Sequence, residues 1–306
     1  MPPVRYLSPF FDSNRWENFA YRPDDIVIST PPKCGTTWMQ MICALLILQT
    51  PTFDVKLDQL SPWLDMQTRS LADITTELDA QTHRRFIKTH TPLDGLEYRA
   101  DVTYICVGRD PRDVAISWDH HVDNMDPIKL FTARINAVGV DEILQEAIAG
   151  GPPERPDSQV ERIWMWVDDD TPVTQTMSLA LTLHHLQTFW DARDRPNVVI
   201  LHYDDLIADL EGQMRTLAAR LGITVPEAQW PTLVDAARFA NMRDRAAVLT
   251  PEATSDIWQD SQQFFHTGGS GQWRAVLGEQ DMTRYVERAR ELASSDLLEW
   301  AHRPPI

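Results

Sequence analysis

Thr30-Pro-Pro-Lys-Cys-Gly-Thr-Thr-Trp38 lies between two apolar runs of different kind. Asp25-Ile-Val-Ile-Ser29 before it reads as a buried strand, and Trp38 to Leu48 after it reads as a buried helix. A strand, a tight turn and a helix N-terminus together make an anion site. The first-turn N–H groups have no intrahelical acceptor, and the positive end of the helix dipole faces the same spot. Lys33 adds a full charge there, Gly35 lets the backbone approach closely, and Thr36 and Thr37 supply hydroxyl donors. The stretch is therefore read as a phosphate cradle. It is not the loop G-x-x-x-x-G-K-[ST], because the lysine precedes the glycine and no second glycine opens the turn.

The rest of the chain alternates short β-type runs with longer helical patterns. Strands are expected at Ile26–Ser29, Arg85–Lys88, Val102–Val107 and Val198–Tyr203. Their near-continuous apolar character is that of a parallel sheet covered on both faces. Leu206, Leu210, Met214, Leu217 and Leu221 recur at helical spacing, with Asp204 or Asp205 as the expected cap and Gly222 as the stop. Asp110-Pro111 looks like another helix start, and Met282, Tyr285, Val286 and Leu292 mark a last amphipathic helix. The expectation is one α/β domain over residues 1–306, with a central parallel sheet flanked by helices and ligands at the carboxyl ends of the strands. The Pro-, Gly- and Asp-rich segment 150–174 is either a surface excursion or a lid over an acceptor site.

Composition narrows the partners. With 306 residues, 43% hydrophobic content and 11 Trp, the chain can bury a substantial core. A net charge of −17 argues against nucleic-acid or anionic-membrane binding, so any anionic ligand must meet locally concentrated positive charge. Cys34, Cys43 and Cys106 form no C-x-x-C pair, which suits free thiols in a reducing cytoplasm. No signal-peptide pattern is seen, and Met39–Leu48 is too short to span a bilayer.

A second strand-to-helix corner follows at Val107-Gly-Arg-Asp-Pro-Arg-Asp-Val-Ala-Ile-Ser117, where Arg109 can fork onto a phosphate and Ser117 can add a hydroxyl. Arg112 faces solvent or pairs with an acid. Between the corners stands Arg85-Phe-Ile-Lys-Thr-His-Thr-Pro92, with a histidine at a strand's end.

Together these pieces resemble the cytosolic-type sulfotransferases, which move a sulfuryl group from 3′-phosphoadenylyl sulfate (PAPS) to an acceptor. The resemblance runs from about Ile26 to Arg274 and implies a nucleotide-kinase-like, P-loop type of architecture. The segment Pro32-Lys-Cys-Gly-Thr-Thr-Trp38 is similar to the family's 5′-phosphosulfate loop, which implies donor contacts from Lys33, Cys34, Gly35, Thr36, Thr37 and Trp38. R-x-P-[KR]-D-V-x-x-S is matched by Arg109 and Ser117, implying a grip on the 3′-phosphate. K-[ST]-H-x-P is matched at Lys88, Thr89, His90 and Pro92, implying His90 as catalytic base. Lys88 then either holds the transferring sulfonate or forms an ion pair, and the resemblance favours the first. Tyr203, within Arg195–Leu206, and Phe239, within Ala237–Met242, are implied to border the adenine with Trp38.

One departure concerns R-K-G-x-x-G-[DQ]-W. Here the run is His266-Thr-Gly-Gly-Ser-Gly-Gln-Trp273, so His266 and Thr267 replace the basic pair while Gly268 remains. Weaker donor binding is expected. The implied reaction is an in-line displacement at sulfur needing no metal, with Lys33 meeting charge on the leaving 5′-phosphate. The products would be the desulfated nucleotide PAP and a sulfated phenol, alcohol or amine of small size. The sequence leaves a homodimer open. Competing readings are a Mg²⁺-dependent small-molecule kinase and a non-catalytic relative that binds PAPS or PAP. Acceptor walls are expected around Leu57–Arg69, His120–Lys129, the 150–174 excursion and Val248–Gln263, with His121 at the pocket wall.

Overall fold

Four strands form at the expected places: β1 (Ile26–Ser29), β2 (Phe86–Thr89), β3 (Thr103–Gly108) and β4 (Val198–His202). They pair in parallel in the order β2-β1-β3-β4. The computed structural model describes residues 2–151, 155–250, 257–265 and 267–306. Because side chains alternate along a strand, each strand feeds two cores. Ile26, Ile28, Phe86, Ile105, Val107, Val199 and Leu201 pack under the helix Thr36–Leu48. Val27, Ile87, Tyr104, Cys106 and Val198 face the opposite layer, against Leu186, Phe189 and Leu297. Both faces are thus covered by helices, as an all-parallel sheet requires.

Chain order places the ligand side. After β1 the chain crosses to β2 on one side, and after β3 it crosses to β4 on the other. The carboxyl ends of β1 and β3 therefore part at a topological switch point, where a crevice opens. At the other end of the sheet, Arg85 and Asp25 form a buried ion pair at 2.5 Å, with a second hydrogen bond from Arg85 Nε to Asp25 Oδ1 at 2.9 Å.

One expectation needs correction. The helical pattern after β4 is broken at Asp209, giving Tyr203–Ala208 and Leu210–Arg220. The caps are His202, which accepts from the Asp204 N–H at 3.1 Å, and Asp209, which accepts from the Gly212 N–H at 2.9 Å; neither Asp204 nor Asp205 caps a helix there. The segment 150–174 also contains a helix, Gln159–Val167, whose inner face carries Ile163, Trp166 and Val167. Arg155 and Arg162 both bind Asp119 at 2.7 Å, tying this segment to the helix Pro111–Asp123. Among the described residues, no helix is long and apolar enough to cross a membrane.

Candidate active site

The turn after β1 is shaped by two left-handed residues, Lys33 at φ +66 and Gly35 at φ +97. A Cβ on Gly35 would lie 3.0 Å from the Tyr203 ring, so glycine serves both the backbone angle and the close approach. Gly35 is also the N-cap of Thr36–Leu48, and no side chain caps this helix. The helices starting at Pro111 and Pro127 are each capped by an aspartate instead. The uncapped N-terminus keeps its first-turn amides available to an anion. Thr36 Oγ1 meets Thr30 Oγ1 at 2.5 Å, anchoring the cradle to the end of β1. Cys34 is buried beneath the loop, and burial pushes its thiol up to about 12.

The turn after β3 brings in Arg109. Its Nη1 donates to the Lys33 carbonyl at 3.1 Å and its Nη2 to the Gly269 carbonyl at 2.8 Å. The guanidinium stacks 4.5 Å from the Tyr203 ring centroid, and its buried Nε has no hydrogen-bond partner among the described residues. Asp110 caps the following helix through the Arg112 N–H at 3.0 Å. Arg112 is buried, pairs with Asp110 at 2.6 Å and stacks on Trp273 at 4.0 Å, so it takes the acid-paired state and not the solvent-facing one. The chain's last residues brace this corner: the Arg303 N–H reaches Asp110 Oδ2 at 3.3 Å, and Arg112 Nη2 donates to the Pro304 carbonyl at 3.0 Å. Asp113 accepts from the N–H groups of Gly271 and Gln272 at 2.7 and 2.8 Å, which docks the glycine-rich loop against the same helix.

At the end of β2, His90 donates through Nδ1 to the Thr30 carbonyl at 2.7 Å, leaving Nε2 as the lone-pair nitrogen. Trp63 meets the His90 ring edge-on at 4.6 Å, and Lys88 Nζ sits 3.9 Å from the Trp63 centroid. Burial and then the charge of Lys88 hold His90 well below 6.5. Burial, followed by Arg109 and Lys88, brings Lys33 down to about 7. Lys33 is thus crowded by other cationic side chains where burial penalises its charge, an arrangement that favours an anionic ligand.

All three segments open into one cavity of about 390 Å³. Lys33, Gly35, Thr36, Thr37, Trp38, Lys88, His90, Arg109, Ser117, Tyr203, Phe239, Thr267 and Gly268 all line it. Cys34 does not, and His266 lies outside the described residues. Trp38 and Tyr203 meet edge-on at 5.4 Å, while a Cβ on Gly268 would collide with the Phe239 ring at 2.5 Å. The aromatic trio therefore borders one compartment without stacking ring on ring.

The remaining wall is apolar, with Phe10, Phe11, Trp63, Met125, Ile257 and Trp258 among its members. Three of the four expected wall segments contribute, whereas no described residue between 150 and 174 does. The strap Ser8–Phe11 was missed, because isolated bridges at Leu7–Asp12 and Phe11–Met66 hold it there and no local pattern signals them. His121 is more than a wall: Lys33 Nζ donates to its Nδ1 at 3.1 Å, inside a ring of Trp258 and Phe264. Its position just past Ser117 was the only clue in the sequence. Among the described residues, no group of three or more His, Cys, Asp or Glu is placed to hold a metal ion.

A parallel sheet whose switch point carries a helix N-terminus, a lysine and an arginine is an α/β fold with an anion-binding crevice. Residues 23–296 match the Sulfotransferase domain, and the chain belongs to that family of sulfuryl-transferring enzymes. The glycolipid sulfotransferase of Mycobacterium tuberculosis is 39% identical over 306 aligned residues, covering 98% of this chain and 94% of the relative. Human sulfotransferase 1E1 is 24% identical, with 90% and 88% covered. In fold, the chain is similar to retinol dehydratase in complex with androsterone and inactive cofactor PAP, at TM-score 0.67 and 19% identity, with 95% and 89% covered. Mouse sulfotransferase SULT7A1 complexed with PAP gives TM-score 0.67 at 18% identity, with 95% and 92% covered.

Proposed function

We propose that this sulfotransferase takes its sulfuryl group from PAPS and delivers it to a hydroxyl, or an amine, of an apolar small molecule. The observation that carries this reading is the convergence of Lys33, His90 and Arg109 on one cavity at an uncapped helix N-terminus. Among the described residues the buried Nε of Arg109 has no hydrogen-bond partner, and this unused donor supports an anionic ligand. Thr36, Thr37, Lys33 and the first-turn amides would hold the 5′ side, with Arg109 and Ser117 on the 3′ side. Trp38, Tyr203 and Phe239 would border the adenine. When bound, PAPS supplies an activated sulfuryl group attached to its 5′-phosphate.

His90 works through Nε2, because Nδ1 is committed to Thr30. The acceptor's proton passes to that nitrogen as its oxygen attacks. Lys33 and the loop amides meet the charge that leaves with the phosphate, as oxyanion donors do. Lys88, over Trp63, is placed to hold the sulfonate oxygens. The apolar wall and the glycolipid named for the 39% identical relative both support acceptors with hydrocarbon character, lipid-linked alcohols included. The three cysteines are buried and free, which supports a reducing cytoplasmic setting.

The test is incubation with labelled PAPS and a panel of phenols, sterols and glycolipids, with chelator present. Transfer to at least one apolar acceptor, undiminished by chelator, is expected. ATP with Mg²⁺ in place of PAPS should transfer nothing, and phosphorylation in that arm would favour a kinase instead.

A further inference from the structure

His185 lies in the helix Leu179–Trp190, is fully buried and does not line the cavity. Its Nε2 is 3.0 Å from Ser29 Oγ, and Ser29 Oγ in turn donates to the Thr91 carbonyl at 2.6 Å. The single serine proton is spent on Thr91, so the imidazole must be the donor, with its proton on Nε2. The other ring nitrogen, Nδ1, is buried and among the described residues has no hydrogen-bond partner. Phe189 stacks on the ring at 5.5 Å with planes 12° apart, which fixes its orientation. Burial pulls this imidazole down to about 3, so it remains neutral and keeps that donor pattern across working pH.

An imidazole buried with half its hydrogen-bonding capacity unused is a costly way to fill space, since an aromatic ring of similar shape would leave nothing unsatisfied. What the bond secures is the loop after β2. The ring of His90 is held by the Thr30 carbonyl, and the carbonyl of Thr91, the next residue, is held by Ser29 at the end of β1. From the other side, Thr91 donates its hydroxyl to Asp65 at 2.5 Å and its N–H to Thr89 Oγ1 at 2.9 Å. We propose that His185 is a positioning residue for sulfuryl transfer, acting through Ser29 on the Thr91–Pro92 peptide, one residue beyond His90, and so on the aim of the His90 imidazole. This rests on the reading of His90 as the base.

The experiment compares His185→Phe, His185→Gln, Ser29→Ala and His90→Ala, each also probed for PAP affinity and melting temperature. His185→Phe and Ser29→Ala should lower kcat roughly 10- to 100-fold, the scale set by misplacing a reacting group by about 1 Å. Donor KM and PAP affinity should stay within about twofold, because the phosphate corners are untouched. His185→Gln, whose amide N–H can reach Ser29, should recover most of the loss. In a His90→Ala background, His185→Phe should cost nothing further. An unchanged kcat in both His185→Phe and Ser29→Ala would overturn the inference, as would equal losses with and without His90. Should His185→Phe fail to fold, Ser29→Ala with and without His90 decides the matter. If His90→Ala itself kept full turnover, the base assignment would fall first, a separate outcome from a silent His185.

Discussion

Burial and the neighbouring guanidinium of Arg109 leave Lys33 titrating at about 7 in the ligand-free protein. A phosphate placed beside it favours the charged form, so ligand binding should draw in a proton. PAP affinity is therefore expected to fall as pH rises from 7 to 9. Calorimetry in buffers of different ionisation enthalpy should register proton uptake near pH 7.5, and none would mean that Lys33 does not meet the phosphate. His90 moves in the same direction for a different use. Held well below 6.5, it stays unprotonated in the free enzyme, so the acid limb of kcat/KM should lie below pH 6.5. Lys33→Ala should slow turnover by about 10²–10³-fold, and His90→Ala by about 10²–10⁴-fold. Thr267 lines the cavity where a basic residue was expected from the resemblance. Thr267→Lys should tighten PAP binding by about 1.5 kcal/mol, the lower range for a charge-assisted hydrogen bond, and titration of both proteins will show whether it does.

The strand–turn–helix around Gly35 can be tested as a unit. Gly35→Ala sets a side chain at φ +97, 3.0 Å from Tyr203, at a backbone cost of about 1–2 kcal/mol. It should lower the urea midpoint and raise donor KM together, whereas a change in stability alone would separate the loop from the donor. This element was legible in the sequence because strand, turn and helix start are all local signals carried within 25 residues. The strands were placed within one residue for the same reason. What escaped depends on contacts distant in sequence. Phe10 and Phe11 reach the cavity through an antiparallel bridge to Met66. The break at Asp209 was hidden because Leu206 and Leu210 keep helical spacing across it. The partnership of Lys33 with His121 joins residues 88 apart, and no periodicity could announce it.

For the molecule as a whole, stability and site sit at opposite ends of one sheet. The Asp25–Arg85 pair closes the end away from the cavity, and both side chains are only 1% exposed. Asp25→Ala would strand the guanidinium in the core and should cost about 3–5 kcal/mol. Denaturant melts should show that loss while kcat per folded molecule is retained, and a matching fall in kcat would mean the two ends are coupled. The ligand end has its own brace, built from the residues after Ala301. His302 bonds Tyr285, Arg303 joins Asp205 as well as Asp110, and Pro304 receives Arg112. For protein engineering, residues 302–304 are consequently a poor place to graft a foreign segment: disturbing them would loosen Asp110 and the arginine turn behind it, and a weakened enzyme would be mistaken for a poor catalyst.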